Sequence, residues 1–248
     1  MAAGLGDVKP LMVNMTSPEI RRHITSHSKP VTENIDHLIV GSPVHSGKLP
    51  VQVVRCLKEI AGHGRKCSVA VIYGNRDYGI ALRSLVELLS EAGFNVVSAG
   101  AFIGQHTYSD IVPVAMNRPD FTDLKIAFTL GLESQHTANA LSPDDIPIQL
   151  DKYSASSEYT SLKPTYHKKR CQHCGLCADA CPLGLIASDS GCLISTRSKK
   201  QCIGCMACVK KCRQKARIIK VNPMVKLIMS RLLKQAVKEC REPLIIVK

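Results

Sequence analysis

Cys171-x-x-Cys174-x-x-Cys177-x-x-x-Cys181-Pro182 and Cys202-x-x-Cys205-x-x-Cys208-x-x-x-Cys212 are two copies of one pattern, and together they hold eight of the chain's twelve cysteines. Within each copy the first three thiolates can occupy three corners of one [4Fe–4S] cubane, because the short intervening backbone curls and aims its N–H groups at the sulfurs. The fourth corner must be filled from elsewhere. In runs of this spacing the fourth cysteine of each copy ligates the other copy's cluster. The reading is therefore crossed: cluster one takes Cys171, Cys174, Cys177 and Cys212, and cluster two takes Cys202, Cys205, Cys208 and Cys181.

Paired C-x-x-C also holds tetrahedral zinc, but zinc needs four ligands and does not ask for a third cysteine at the next step or a fourth after three more residues. A disulfide framework belongs to oxidising compartments, and no basic-then-apolar leader opens this chain. The expected location is therefore the reducing cytoplasm.

The 248 residues can fold as one medium domain and one small one, and 45 % hydrophobic content excludes global disorder. No apolar run reaches the length of a membrane span. The net charge of +13 is concentrated: from Lys168 to Lys220 twelve Lys or Arg face two acids, Asp179 and Asp189, a side-chain balance of +10. Two oxidised clusters at about −2 each would leave about +6, a basic face suited to steering an acidic redox partner protein or to raising the clusters' potentials. Nucleic acid is the competing partner for a basic chain, but aromatics make up only 4 % and no helix-turn-helix or RNA-binding signature is present, so none is expected.

Residues 1–145 read as an alternating α/β domain. The apolar runs at 36–41 and 67–73, with a weaker one at 94–100, have the form of parallel strands buried on both faces. Between them lie two helical patterns. Residues 50–60 place Val53, Val54, Leu57 and Ile60 on one face, and residues 78–92 carry Leu82, Leu85, Val86 and Leu89 on one stripe that stops at Gly93. A last helix is expected over about 120–135. The fold class is thus α/β with a doubly wound parallel sheet.

Ligands of such sheets bind at the carboxyl ends of the strands. Two glycine-bearing loops stand there: Gly41-Ser-Pro-Val-His-Ser-Gly-Lys-Leu-Pro50 and Tyr73-Gly-Asn-Arg-Asp-Tyr-Gly79. Their glycines permit close approach of a flat ligand, Asn75 and Ser42 can bond a ring edge, and His45, Tyr73 and Tyr78 can stack, which points to a flavin-type pocket.

These loops, Gly100-Ala-Phe-Ile-Gly-Gln-His106 and the two cysteine runs together resemble the bacterial ferredoxins with an N-terminal flavodoxin domain, typical of anaerobes. The resemblance covers nearly the whole chain. It implies a flavodoxin-like fold (1–145), a linker (146–164), a small α+β ferredoxin domain with two [4Fe–4S] clusters (165–220), and a C-terminal helix and tail (221–248). It also implies FMN, with Ser42, Pro43, Val44 and His45 lining one side of the isoalloxazine and Gly74, Asn75 and Tyr78 the other. The chain departs from that pattern at His45, where relatives often carry an aromatic residue, and at Arg213, where proline is expected after Cys212.

It departs most at its front. Flavodoxins open with a strand, a Thr-Gly-Asn phosphate loop and a first helix, whereas residues 1–9 here resemble the end of that helix, running into a second strand near 8–14. The expectation is an N-terminally truncated flavodoxin-like domain that holds FMN weakly or not at all as it stands. Residues 221–240 carry Val225, Ile228, Leu232, Leu233 and Val237 at helical spacing and are expected to pack back on the body of the protein, a membrane-surface helix being the alternative. Of the other cysteines, Cys67 reads as a small buried hydrophobe. The function expected is electron transfer through two clusters coupled to an FMN-type domain, as a carrier or oxidoreductase component. The alternative is a ferredoxin module whose flavodoxin-like domain is a flavin-free docking scaffold.

Overall fold

The computed structural model describes residues 1–6, 9–26, 35–148, 162–189 and 200–248. The chain forms two compact units: Met1–Met12 with Ile24–Ser157 and Ile228–Lys248, and Val13–His23 with Glu158–Leu227.

In the first unit β1 (His37–Pro43), β2 (Lys66–Tyr73) and β3 (Asn95–Ile103) lie side by side in parallel, and β6 (Leu244–Val247) pairs antiparallel on the free edge of β3. Parallel pairing follows from the crossovers, since α2 (Val51–Leu57) joins β1 to β2 and α3 (Ala81–Glu91) joins β2 to β3. The apolar runs supply a sheet buried on both faces: Cys67, Val69, Val71, Val96, Val97 and Ala99 are all closed to solvent. Leu82, Leu85, Val86 and Leu89 of α3 are fully buried, as the stripe predicted. Gly93, at φ +82°, ends that helix. Its N–H and that of Phe94 return to Ser90 O and Leu89 O at 3.0 Å each, the paired bonds of a glycine-closed helix end.

The other long helix, α4 (Phe121–His136), packs through Leu130, Ile126 and Ala127 on Ala70 and Phe102, with Ile245 and Val247 of β6 in the same cluster. Side chains alternate across a strand, so Ala70 and Phe102 face α4 while Val69, Val71 and Ala101 face the other way. At Gly100 an added Cβ would stand 2.9 Å from Leu130 Cδ2, so a bare backbone lets α4 come this close. Asp120 caps α4 in a reciprocal box with Asp123. Arg118 holds both Asp123 carboxylate oxygens through Nε and Nη2.

Three expectations are corrected. Residues 9–14 form no strand, and Leu11 and Met12 are 81 % and 82 % exposed because no sheet edge takes them up. The run read as weakest becomes the longest strand, β3, extending to Ile103. The C-terminal stretch is two helices, α7 (Pro223–Leu232) and α8 (Lys234–Lys238), followed by β6. Of its predicted stripe Leu233 is buried, against Val112 and Val114, whereas Ile228, Leu232 and Val237 stay exposed.

In the second unit β4 (Thr165–Tyr166) pairs antiparallel with β5 (Arg217–Ile218), setting Tyr166 opposite Arg217. Two short helices, α5 (Leu176–Asp179) and α6 (Ala207–Lys211), carry the last cysteines of each triplet. Residues 13–23, which carry most of α1 (Pro18–Ser26), join this unit, and Arg21 donates to Met15 O (2.7 Å), Thr16 O (2.9 Å) and Pro182 O. The expected linker at 146–164 falls largely outside the described residues.

Asp123 gives this architecture a pH signature. Burial pushes its carboxyl up, but the Arg118 guanidinium and the Asp120 N–H prevail and hold it below its ordinary value. A depressed carboxyl contributes stability above its unfolded pKa of about 3.9 and loses it as the pH falls through the folded value. Asp123→Ala, which leaves Arg118 with Asp120 at 3.6 Å as its remaining carboxylate, is expected to cost about 3 kcal/mol in urea unfolding at pH 7. The gap to the wild-type protein should close as the pH is taken down past about 3.9.

Candidate functional site

The two cysteine runs are related by an offset of 31 residues, from Cys171 to Cys202, and their backbones repeat with it. Left-handed φ values occur in matched pairs: His173 (+54°) with Gly204 (+65°), Gly175 (+76°) with Met206 (+59°), and Gly184 (+61°) with Lys215 (+50°). Each pair reverses the chain beside a cysteine, and only half of the six positions use glycine, the residue for which this region is free. The same offset relates two hydrogen bonds to sulfur, Leu185 N to Cys181 Sγ at 3.3 Å and Ala216 N to Cys212 Sγ at 3.2 Å.

These curls enclose two cavities. One, of about 490 Å³ counting its open mouth, is lined by Cys181, Cys202, Cys205 and Cys208 among Leu183, Leu185, Ile186 and Met206. The other, of about 410 Å³ on the same measure, is lined by Cys171, Cys174, Cys177 and Cys212. Each set draws three cysteines from one run and the last from the other. None of these eight cysteines is in a disulfide. Among the described residues no three Cys, His, Asp or Glu side chains converge closely enough to hold a single metal ion. The cysteines stand around hollows instead, with backbone N–H groups on the Cys171, Cys181 and Cys212 sulfurs, and such a donor set fits a multi-iron cluster.

The two cavities differ electrically. Burial pushes the Cys208 thiol up to about 12 against a downward pull from Arg217, and it raises Cys205 as well. At Cys171 the nearby Tyr166 hydroxyl, the His173 N–H that donates to the sulfur at 3.4 Å and the Arg217 charge all favour the thiolate, so that thiol lies below its ordinary value. Lys163 donates to Cys202 O at the wall of the first cavity.

The predicted flavin loops also meet, but on each other. Ile80 N donates to Gly47 O at 2.9 Å, and a Cβ on Gly79 would overlap that same oxygen. Asn75 is turned inward: its Nδ2 donates to Ala236 O (2.8 Å) and Glu239 O (2.6 Å), and its Oδ1 accepts from Arg241 N at 3.1 Å. Tyr78 is buried edge-on to Tyr73 and donates to Pro147 O. Gly74 packs against the His106 ring, and Ser42, fully buried, donates to Pro43 O. Pro43 is exposed, Val44 N donates to Ile72 O, and His45 is half-buried and bridged to Lys48. As arranged, Asn75 does not fit the expected contact with a flavin ring, because its amide is bonded to the C-terminal segment. Sequence reading missed this role of residues 236–241; the one signal was the apolar run Leu244–Val247 behind them. Cys67 is fully buried, as read.

Residues 164–187 match the family of 4Fe-4S binding domains, a stretch that contains the first cysteine run and stops short of the second. Protein NrfC of Escherichia coli K12 is 32 % identical over 105 residues, 42 % of this chain and 46 % of NrfC. The same figures hold for Protein NrfC of Escherichia coli O157:H7 and of Shigella flexneri. The chain spans about half the length of the curated relatives it matches. No solved structure matches it. No helix among the described residues is long and apolar enough to cross a membrane. The chain is thus a mixed α/β protein with a parallel sheet and a 4Fe–4S binding region, which supports an iron–sulfur electron-transfer role.

Asn75 offers a direct check on the closed C-terminal segment. Asn75→Leu removes all three of its bonds to residues 236–241. Hydrogen exchange at the Arg241 amide is expected to rise at least tenfold, about 1.4 kcal/mol of lost protection, while the α3 amides keep theirs. Unchanged exchange at Arg241 would show that β6 and the Arg118 contacts hold the segment without Asn75.

Proposed function

We propose that this chain is an electron-transfer protein that relays single electrons through two [4Fe–4S] clusters, one per cavity, and that its flavodoxin-like unit serves without flavin as a docking scaffold for a redox partner. The observation that carries the reading is the composition of the two cavities, each ringed by three cysteines of one run and the fourth of the other. Bound clusters supply one-electron redox chemistry at potentials set by hydrogen bonds to sulfur, charge and solvent exposure. The chain's own residues provide each of these. Leu185 N and Ala216 N stabilise the Cys181 and Cys212 thiolates. Leu183, Leu185, Ile186 and Met206 give the first cavity an apolar wall. The basic excess of the cysteine segment favours an acidic partner protein, and thiol ligands favour a reducing cytoplasm. The protein acts as a carrier or oxidoreductase component rather than a stand-alone catalyst.

The FMN-coupled reading retains one observation in its favour, the meeting of the two glycine loops at Gly47 and Gly79. It requires residues 236–241 to leave Asn75. The scaffold reading needs no such rearrangement and is preferred.

Anaerobic reconstitution of the full chain should yield about eight iron and eight sulfide ions per chain, as two four-iron clusters require. About four iron ions, or zinc in their place, would refute the pair. Cys181→Ala is expected to damage the cluster held mainly by Cys202, Cys205 and Cys208; loss confined to the other would remove the crossed assignment. Anaerobically purified protein should carry no stoichiometric flavin, and one tightly bound FMN per chain would return the flavin-coupled reading.

A further inference from the structure

Arg217 is 3 % exposed, and among the described residues its Nε and Nη2 have no hydrogen-bond partner and no carboxylate pairs with it. It lines both cavities. Its position is held from β4, where Tyr166 stands opposite it across the two-stranded ladder and its Cζ lies 5.3 Å from the centroid of the Tyr166 ring. The internal repeat shows that this cation is an addition to the motif. At the offset that relates the two runs, the residue matching Arg217 is Ile186, also buried and lining the first cavity.

A guanidinium stays protonated in proteins, so burial cannot be relieved by loss of charge. An uncompensated buried charge is unfavourable, and it persists where a counter-charge or a full set of acceptors is supplied. Aromatic faces attract cations but offer only part of that compensation. Arg217 instead presents two N–H-bearing nitrogens between two rings of cysteines. Four thiolates around an iron–sulfur core are net negative, and each electron taken up makes them more so.

We propose that Arg217 is a positioning residue for electrons, a single buried cation shared by both cysteine sets that raises the reduction potential of each cluster and that the pair of clusters compensates in turn. This rests on the two-cluster reading above. A charge inside a low-dielectric site acts more strongly than one at the surface, where water and salt screen it. The effect therefore belongs to Arg217 and not to the general basicity of the segment. A cation standing at both cavities also acts on both couples together, which keeps an electron from being trapped on one side of the relay.

The test uses the full chain, reconstituted anaerobically, with midpoint potentials read by spin resonance during a redox titration. Arg217→Met removes the charge and keeps an apolar stem, Arg217→Lys keeps the charge, and Lys220→Met removes an exposed charge of the same segment. Arg217→Met should lower both midpoints by at least a tenfold change in the reduced-to-oxidised ratio at fixed potential, about 59 mV for a one-electron couple. Arg217→Lys should retain most of the wild-type value, and Lys220→Met should move neither midpoint by more than about threefold in that ratio, roughly half of 59 mV. If only Arg217→Met fails to load iron, the charge is required for assembly, which supports the assignment. The proposal is overturned if either midpoint of Arg217→Met stays within that threefold margin, or if Lys220→Met shifts both as far. Failure of both Arg217 variants to load while the wild-type chain loads would overturn it too, since Arg217 would then be a packing residue. The iron content of the wild-type chain tests the two-cluster reading separately.

Discussion

Four thiolates around one cluster demand that the chain turn sharply and repeatedly within about a dozen residues, and the cysteine unit is shaped by that demand. Left-handed residues sit at matched positions in the two runs, and three of the six are His173, Met206 and Lys215, which gain nothing from that conformation by themselves. Non-glycine residues hold positive φ only where the surroundings over-determine it. What they secure here is visible in the sulfur contacts. With the curls in place, Leu185 N and Ala216 N reach Cys181 Sγ and Cys212 Sγ, and the last cysteine of each run turns toward the cavity of the other.

On the proposed crossed assignment, ligation has an energetic consequence beyond ligand count. A cluster held by three neighbouring cysteines and one distant one closes a loop of chain, and the entropy of that closure is recovered only when the metal group is bound. The small unit has little else to hold it: β4 and β5 are two residues each, and its apolar cluster centres on Cys181, Leu185, Ile186 and Cys208, half of it ligand candidates. Metal uptake and folding of this unit are therefore expected to be linked.

The α/β unit solves a different problem. A three-stranded parallel sheet has two open edges, and an open edge invites pairing with another chain. Here β6 covers the β3 edge, and the segment leading into it uses Asn75 as an anchor, all through backbone groups of residues 236–241. The same loop geometry that in resemblance marks a flavin site thus serves internal closure. Arg118 reinforces it, since the guanidinium that grips Asp123 also reaches Cys240 Sγ at 3.2 Å and Arg241 O at 3.4 Å.

What could be read from the sequence was whatever has a short-range physical cause. Cysteine spacing determined the candidate ligands, and period-3.6 leucines determined α3, whose four stripe residues are all sealed. Apolar runs between those helices determined β1 and β2, and Gly93 determined where α3 stops. The helix expected over about 120–135 is α4, Phe121–His136. What only the tertiary structure decided depended on long-range competition. Asn75 reads as a ring-binding amide until residues 161 to 166 positions further along the chain compete for it and win. Residues 9–14 have the pattern of a strand, yet they pair with no sheet edge, although that of β1 carries no strand among the described residues. Leu244–Val247 looked like a tail and became a strand because β3 had an edge to fill. Arg217 is one more cation in a basic segment until β4 and β5 pair and bury it between the cysteines. Its charge is written in the sequence, but its environment is not.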